Sequence, residues 1–391
     1  MLQLQGVPLQ VRGFKEASAS HLLRLRRPTD EPSDGADFAL VTSSEEAEIA
    51  LSKNFQGAVV VAGVEGSFVS PNERFSKVVT VPHSFEYLAD GDVLSLRPTH
   101  NRVRTLFRRK SNHNAFLVTE RCNHYCLMCS QPPRNVDDSW LVDEISACLA
   151  LIDKETPSLG FTGGEPLLDW HRFLQVLVDC NRMLPSTAIH VLSNGRAFAD
   201  SDVVAGWADV GHPNLTVGIP IYSVVDHVHD YVVQALGAFD ETVLGILKLK
   251  DRGQRVEVRV VLHAITIPRI VETCRWLARN LPFVDHVALM GLEDTGFAIA
   301  NADMLWIDPV DYREELAEAV DALAQANINV SVYNLPLCLL AERIRPFAIQ
   351  SISDWKNDFA NECEPCSEKT RCSGFFTTGR PRRSRGISAI H

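Results

Sequence analysis

Between residues 112 and 300, short apolar runs alternate with longer amphipathic stretches, and this alternation restricts the fold more than any other feature of the chain. A run of four to eight apolar residues suits a strand buried on both faces. A following stretch with apolar residues every three or four positions suits a helix lying over it, so the repeat of the two is the pattern of βα units around a parallel sheet. Six strands are expected, at 115–119, 158–162, 189–193, 215–222, 256–262 and 286–290. Helices are expected at 142–153, 170–183, 200–210, 241–251 and 268–280, the fourth capped by Asp240 and turning Ile246, Leu247 and Leu249 to the barrel. Six units make an incomplete barrel, an α/β fold best described as a partial (β/α)6 TIM-like barrel.

On either side the rhythm differs. Residues 1–110 mix strand-like runs, such as GAVVVAGV at 57–64 and DVLSL at 92–96, with polar loops, which predicts a small α+β or β-rich domain. After the core, assigned to 111–304, a cysteine-rich domain at 305–391 opens with a helix at 308–326 and a strand at 328–333. The basic stretch GRPRRSRG at 379–386 reads as a solvated or mobile terminus.

Composition narrows the partners. With 38 Lys and Arg against 49 Asp and Glu, the net charge of −11 repels phosphate backbones and anionic membranes, so neither nucleic acid nor a membrane is expected as a partner. The first twenty residues lack the apolar core of a secretory signal and no apolar run is long enough to span a bilayer, so a cytoplasmic location is expected. Ten cysteines are too few for a disulfide scaffold in 391 residues, and they are bunched. Bunching in a reducing compartment points to metal. Cys148, Cys180 and Cys274 fall inside helix-like segments and read as small buried apolar residues.

The stretch from Thr119 reads TERCNHYCLMCSQPP, placing Cys122, Cys126 and Cys129 at C-x3-C-x2-C directly after the first strand of the series. Loops at the carboxyl ends of barrel strands build active sites, so the three sulfurs are expected at the barrel mouth. Three cysteines leave one iron of a cubane cluster without a protein ligand, and an open coordination position is what a catalytic metal needs. After the second strand comes Gly-Gly-Glu-Pro, Gly163 to Pro166, whose glycines permit a tight turn and close approach to a ligand. Three structural thiols or a zinc site remain the plain alternative.

The cysteine spacing, its place after strand one and the GGEP after strand two together resemble the radical S-adenosylmethionine (SAM) superfamily. The resemblance implies that Cys122, Cys126 and Cys129 hold a 4Fe-4S cluster whose unique iron is chelated by SAM. Met128 stands where the family usually has an aromatic residue. Gly163 and Gly164 would offer carbonyls to the SAM ammonium, and Glu165 would orient that loop or accept from the amino group. By the same resemblance Ser193, Asn194, Ser223 and Arg259 occupy places where the family contacts the ribose or carboxylate of SAM, and Met290 and Gly291 flank the adenine. Each polar strand-end residue could equally cap the next turn. Arg259, in the apolar strand VEVRVVL, needs a partner because a buried unpaired charge is costly.

Near the end, Cys363, Cys366 and Cys372 give C-x2-C-x5-C, and Cys338 supplies a possible fourth ligand. The pattern resembles SPASM or twitch domains, which carry auxiliary iron-sulfur clusters in peptide-modifying radical SAM enzymes. The next SPASM cysteine is replaced by Phe376, which favours one second 4Fe-4S cluster over two. Four thiolates would equally satisfy a structural zinc.

The stretch SNHNAFLVTERCNHYCLMCSQPPRN resembles most the C-type radical SAM maturase of the His-Xaa-Ser peptide system. That likeness implies an enzyme cleaving SAM to a 5′-deoxyadenosyl radical that takes hydrogen from a small ribosomally made peptide, alongside a second radical SAM protein and an electron donor such as flavodoxin or ferredoxin. Rival readings are a radical SAM enzyme acting on a small metabolite or activating another enzyme, and a zinc-binding interaction protein.

Overall fold

The computed structural model describes residues 4–14, 20–63, 74–350, 357–376, 378 and 382–391. The chain divides into two compact units, residues 1–116 with 139–159 and 182–187, and residues 117–138, 160–181 and 188–391.

The first unit is built on a mixed eight-stranded sheet: β1 (Gln5–Gly6), β2 (Gln10–Arg12), β3 (His21–Arg26), β4 (Asp37–Val41), β5 (Gly57–Val61), β6 (Lys77–Val81), β7 (Val93–Arg97) and β8 (Arg102–Phe107), in the order β1-β8-β7-β3-β4-β5-β6-β2. β3 to β6 run parallel, and the flanking pairs are antiparallel. Alternation along the strands splits the core between two faces, with Phe38, Val59 and Val79 on one and Ala39, Ala58, Val60 and Val78 on the other. Helix α1 (Ser44–Ser52) contributes Ala47 and Ala50 to the second face and starts at Ser43, whose hydroxyl accepts from the Glu46 N–H. Helix α2 (Trp140–Leu149) also belongs to this unit. Its buried Glu144 takes Ser95 and Arg104 as partners, and the Arg97 guanidinium lies 3.9 Å over the Trp140 ring.

The βα series forms a second sheet. All six expected strands are present, as β9 (Asn114–Thr119), β10 (Ser158–Gly163), β11 (Ala188–Leu192), β12 (Leu215–Pro220), β13 (Arg255–Leu262) and β14 (His286–Gly291). A seventh, β15 (Val330–Tyr333), joins in parallel at the edge, with Val287 opposite Val330. The pairs from β11 to β15 are parallel. Between the strands run α3 (Trp170–Met183), α4 (Ser201–Asp209), α5 (Asp226–Val233), α6 (Ala238–Asp251) and α7 (Ile270–Asn280). The short α8 (Phe297–Ala300) and α9 (Ala302–Leu305) precede α10 (Arg313–Gln325), and a hairpin of β16 (Asn357–Asp358) and β17 (Phe375–Phe376) follows. Among the described residues no helix is long and apolar enough to cross a membrane.

Two local expectations are corrected. Helix α6 begins at Ala238, so Asp240 sits inside its first turn, and the capping carboxylate is Asp230 within α5, accepting from the N–H groups of Gly237 at 2.6 Å and Phe239 at 2.9 Å. On α6 the buried positions are Thr242, Gly245, Ile246 and Leu249, the i, i+3, i+4, i+7 face; Leu247 is one step off that stripe and is exposed.

The basic terminus is also not free. Residues 379–381 lie outside the described set, but the Arg385 guanidinium pairs with Asp308 at 3.1 Å and with Asp311, and Ser384 bonds Asp308. Farther on, the carbonyl of Ile390 accepts from the N–H of Ser367 at 2.9 Å. Local charge density made this segment look solvated, whereas the acidic start of the α10 region supplies distant partners.

Candidate active site

Cys122, Cys126 and Cys129 leave β9 in one loop and line a cavity of about 270 Å³ at the carboxyl ends of the strands. Gly163, Gly164, Ser193, Asn194, Arg259 and Met290 line it too. Glu165, Pro166, Ser223 and Gly291 are not among its lining residues.

The cysteine loop is held from both sides. The N–H of Gly164 donates to the Thr119 carbonyl at 2.8 Å and that of Glu165 to the Arg121 carbonyl at 2.9 Å. A Cβ on Gly163 would lie 2.3 Å from the Thr119 oxygen, and one on Gly164 1.9 Å from the Arg121 oxygen. The glycines are therefore required by backbone lying against backbone, with Gly163 at φ +140 as well. On the far side, the N–H groups of Tyr125 and Leu127 donate to the carbonyls of Val233 and Val232, and Asn301 donates to the Leu127 carbonyl at 2.8 Å.

Glu165 is buried, and both its oxygens are engaged. Oε1 accepts from the Leu167 N–H at 3.0 Å and the Ser193 hydroxyl at 2.9 Å, and Oε2 accepts from the Asn194 N–H at 2.7 Å. Burial raises its pKa and these three donors oppose the rise. Glu165 thus fastens the end of β10 to the end of β11. Ser193 also accepts from the Gly195 N–H, so its hydroxyl is committed to the loop. The Asn194 amide donates to Asn123 Oδ1 at 2.6 Å, tying β11 to the cysteine loop. The Ser223 hydroxyl accepts from the Val225 N–H, the turn-capping role.

Arg259 has the partner its burial demands, in its own strand. Its Nε lies 3.4 Å from Glu257 Oε1, two residues earlier and on the same face, and Nη2 donates to Met290 Sδ at 3.0 Å. Glu257 is held in turn by His286 at 2.8 Å and His190 at 3.4 Å, and despite its burial these partners keep its carboxyl well below the usual range. Gly218 makes room for this group: a Cβ there would come within 2.9 Å of the His190 ring and 3.1 Å of Arg259 Cδ. A glycine inside a strand is the sequence signal for such close approach.

Two lining residues escaped the sequence reading. His124 sits between the first two cysteines with neither ring nitrogen hydrogen-bonded, and burial pushes its pKa down to about 3. A buried polar ring left without a protein partner fits a cavity built for a polar ligand. Tyr222, at the end of β12, is buried beside Cys126 and Cys129; burial and then those two sulfurs push its hydroxyl pKa well up. They stand in the stretches CNHYC and IPIYS, where no spacing marks them out.

Burial pushes the Cys122 thiol up to about 11 and raises Cys126 and Cys129 as well. Such thiols ionise only when a cationic centre replaces their protons. The donor set, three sulfurs facing one cavity with the His124 N–H 3.4 Å from Cys122 Sγ, fits an iron-sulfur cluster with one iron free. Among the described residues no three His, Cys, Asp or Glu side chains are grouped around a single-ion position.

The other cysteines also converge. Cys338, Cys363, Cys366 and Cys372 line one cavity of about 10 Å³. Cys372 Sγ accepts from the N–H groups of Leu337 and Gly374 and Cys366 Sγ from that of Ile390, each at 3.4 Å. Phe376, in the position of a further SPASM cysteine, lies in β17 opposite Asn357. Cys148, Cys180 and Cys274 are fully buried.

Residues 116–277 match the sequence family described as the Radical SAM superfamily. No curated protein matches the sequence. Among solved structures, Streptococcus suis SuiB bound to S-adenosylmethionine superposes with a TM-score of 0.46 at 15% identity, over 58% of this chain and 51% of SuiB. Native anSMEcpe with bound AdoMet gives 0.43 at 15% identity over 56% and 62%, and methylornithine synthase (PylB) 0.42 at 13% over 57% and 64%. The chain thus spans about half the length of SuiB.

Proposed function

We propose that the protein is a radical SAM maturase that modifies a small ribosomally made peptide of the His-Xaa-Ser type. The observation that carries the radical SAM reading is the convergence of Cys122, Cys126 and Cys129 on one open cavity, with the Gly163-Gly164-Glu165 loop braced against their backbone. When bound, a 4Fe-4S cluster on these cysteines supplies the electron that splits SAM into methionine and a 5′-deoxyadenosyl radical. The chain's own share is position: Glu165 and Asn194 fix the loops, and Arg259, held by Glu257 and Met290, presents a guanidinium to a carboxylate in the cavity. Apolar Met128, Leu192, Pro220 and Val261 along the walls exclude water around a reactive radical.

The peptide substrate and the His-Xaa-Ser system are supported by the likeness of the 111–135 stretch and by the carboxy-terminal cysteines. In this reading residues 1–110 are an accessory domain, 111–304 the core and 305–391 the auxiliary-cluster domain. A second radical SAM protein, an electron donor of the flavodoxin or ferredoxin kind and a cytoplasmic setting complete it.

The deciding experiment is iron, sulfide and zinc content after anaerobic purification. About eight iron per chain supports two 4Fe-4S clusters. About four iron with one zinc keeps the radical chemistry and makes the second site structural, and zinc alone overturns the proposal. A genomic neighbour encoding a short peptide with repeated His-x-Ser, incubated with the protein and SAM, tests the substrate by mass change.

A further inference from the structure

We propose that the pocket beside the hairpin β16–β17, at the carboxyl ends of β13, β14 and β15, binds a planar nitrogen cation of the substrate, an imidazolium or guanidinium, with Asp294 as the acceptor. Asp294 follows β14, and its side chain is 8% exposed. Its Oδ1 is buried and makes no hydrogen bond. The nearest cation with which it pairs is Arg382, whose Nη1 stands 3.9 Å away, beyond hydrogen-bond reach. A buried carboxylate oxygen left in this state is costly, and a ligand N–H would relieve it.

The space is about 90 Å³, enough for a small planar head group. Its walls include Trp306, Tyr312, Phe375 and Phe376, and the Arg383 guanidinium, also in the lining, lies 5.4 Å over the Phe375 ring, an arrangement a planar cation of the ligand would repeat or replace. Burial raises the Asp294 pKa and Arg382 opposes it, so an incoming cation would favour the ionised form.

The pocket also neighbours the cysteine cavity along β13 and β14. Adjacent residues of β13 line the two spaces, Val261 the cysteine cavity and Leu262 this pocket; Met290 in β14 lines the first and Leu292 just after it the second. The loop carrying Asp294 is fastened to the third cysteine: the Phe297 N–H donates to the Cys129 carbonyl at 2.8 Å, and a Cβ on Gly296 would lie 2.4 Å from that oxygen. The two spaces thus open at the same ends of the strands on opposite sides of β13, with the Asp294 loop fastened to the cysteine loop between them. The peptide origin of the cation rests on the proposed function, whereas the pocket itself does not.

Equilibrium dialysis of the full chain, purified anaerobically, against N-acetylhistidine methylamide and N-acetylarginine methylamide at pH 6 tests it, with N-acetylphenylalanine methylamide as control. Saturable binding of one cationic probe or both is expected, weakened at least about tenfold in Asp294→Asn, with SAM binding unchanged in the same sample. Binding of the histidine probe alone identifies an imidazolium site, and of the arginine probe alone a guanidinium site. In Arg382→Gln, which removes the competing cation, binding should tighten. Equal affinity in wild type and Asp294→Asn, equal binding of the phenylalanine control, or weaker binding in Arg382→Gln overturns the proposal. Probe binding needs no SAM cleavage, so its failure leaves a positive 5′-deoxyadenosine assay standing, and the reverse.

Discussion

The two cysteine groups differ in what surrounds the sulfurs. Cys122, Cys126 and Cys129 face about 270 Å³ of space, whereas Cys338, Cys363, Cys366 and Cys372 close on about 10 Å³. The first group comes from one continuous loop braced by neighbouring strand ends; the second joins Cys338 to the separate run Cys363, Cys366 and Cys372. Three donors beside a cavity leave a metal centre able to take a small molecule, and four donors with no space beside them leave it coordinatively complete. The comparison teaches that spacing identifies ligands, while the volume beside them separates chemistry from structure or electron storage.

The largest effect that could break this contrast is in the open loop. Cys126→Ala should abolish 5′-deoxyadenosine formation from SAM under reducing conditions, and retained activity would sink the open-site assignment. Cys366→Ala should leave SAM cleavage intact and stop peptide modification. A variant that still matured its peptide would show the closed site to be dispensable. Gly164→Ala forces a methyl group to within 1.9 Å of the Arg121 carbonyl, so the loop must move; iron content at the first site should fall while the second keeps its metal. Glu165→Gln replaces an acceptor with a donor facing the Ser193 hydroxyl or the Asn194 N–H, and should lower urea stability by about 1–3 kcal/mol. The smallest effect is expected for Arg385→Ala. It loosens the terminal segment from Asp308 and Asp311, and should make the second site's metal more open to a chelator without altering SAM binding.

Much of the second sheet was legible because it is written in local periodicity. Strands such as 256–262 are short apolar runs set between amphipathic stretches, so their existence follows from the residues alone. β15 was visible as a strand but not as a member of the sheet, since pairing Val330 with Val287 is a long-range choice. The helix cap at Asp230 was hidden for a similar reason: Asp240 lay closer to the apolar run, and the loop from 234 to 237 lets a carboxylate of the preceding helix reach back. The site followed the same rule. The cysteines and the Gly-Gly-Glu loop stood out in sequence, but that Glu165 spends both oxygens on β11 and its own turn, or that Ser223 caps a turn away from the cavity, depends on contacts between strand ends. His124 and Tyr222 carried no pattern of their own, and Asp294 becomes conspicuous only once its missing partner is seen.

The Ile390 N–H that reaches Cys366 Sγ has a consequence for the order of assembly. On the ribosome the cysteines near residue 126 emerge well before the barrel strands that enclose them. The other pocket cannot close until the segment bearing Ile390 has left the exit tunnel and folded back. Any metal taken by those four cysteines would be enclosed only once that segment has packed.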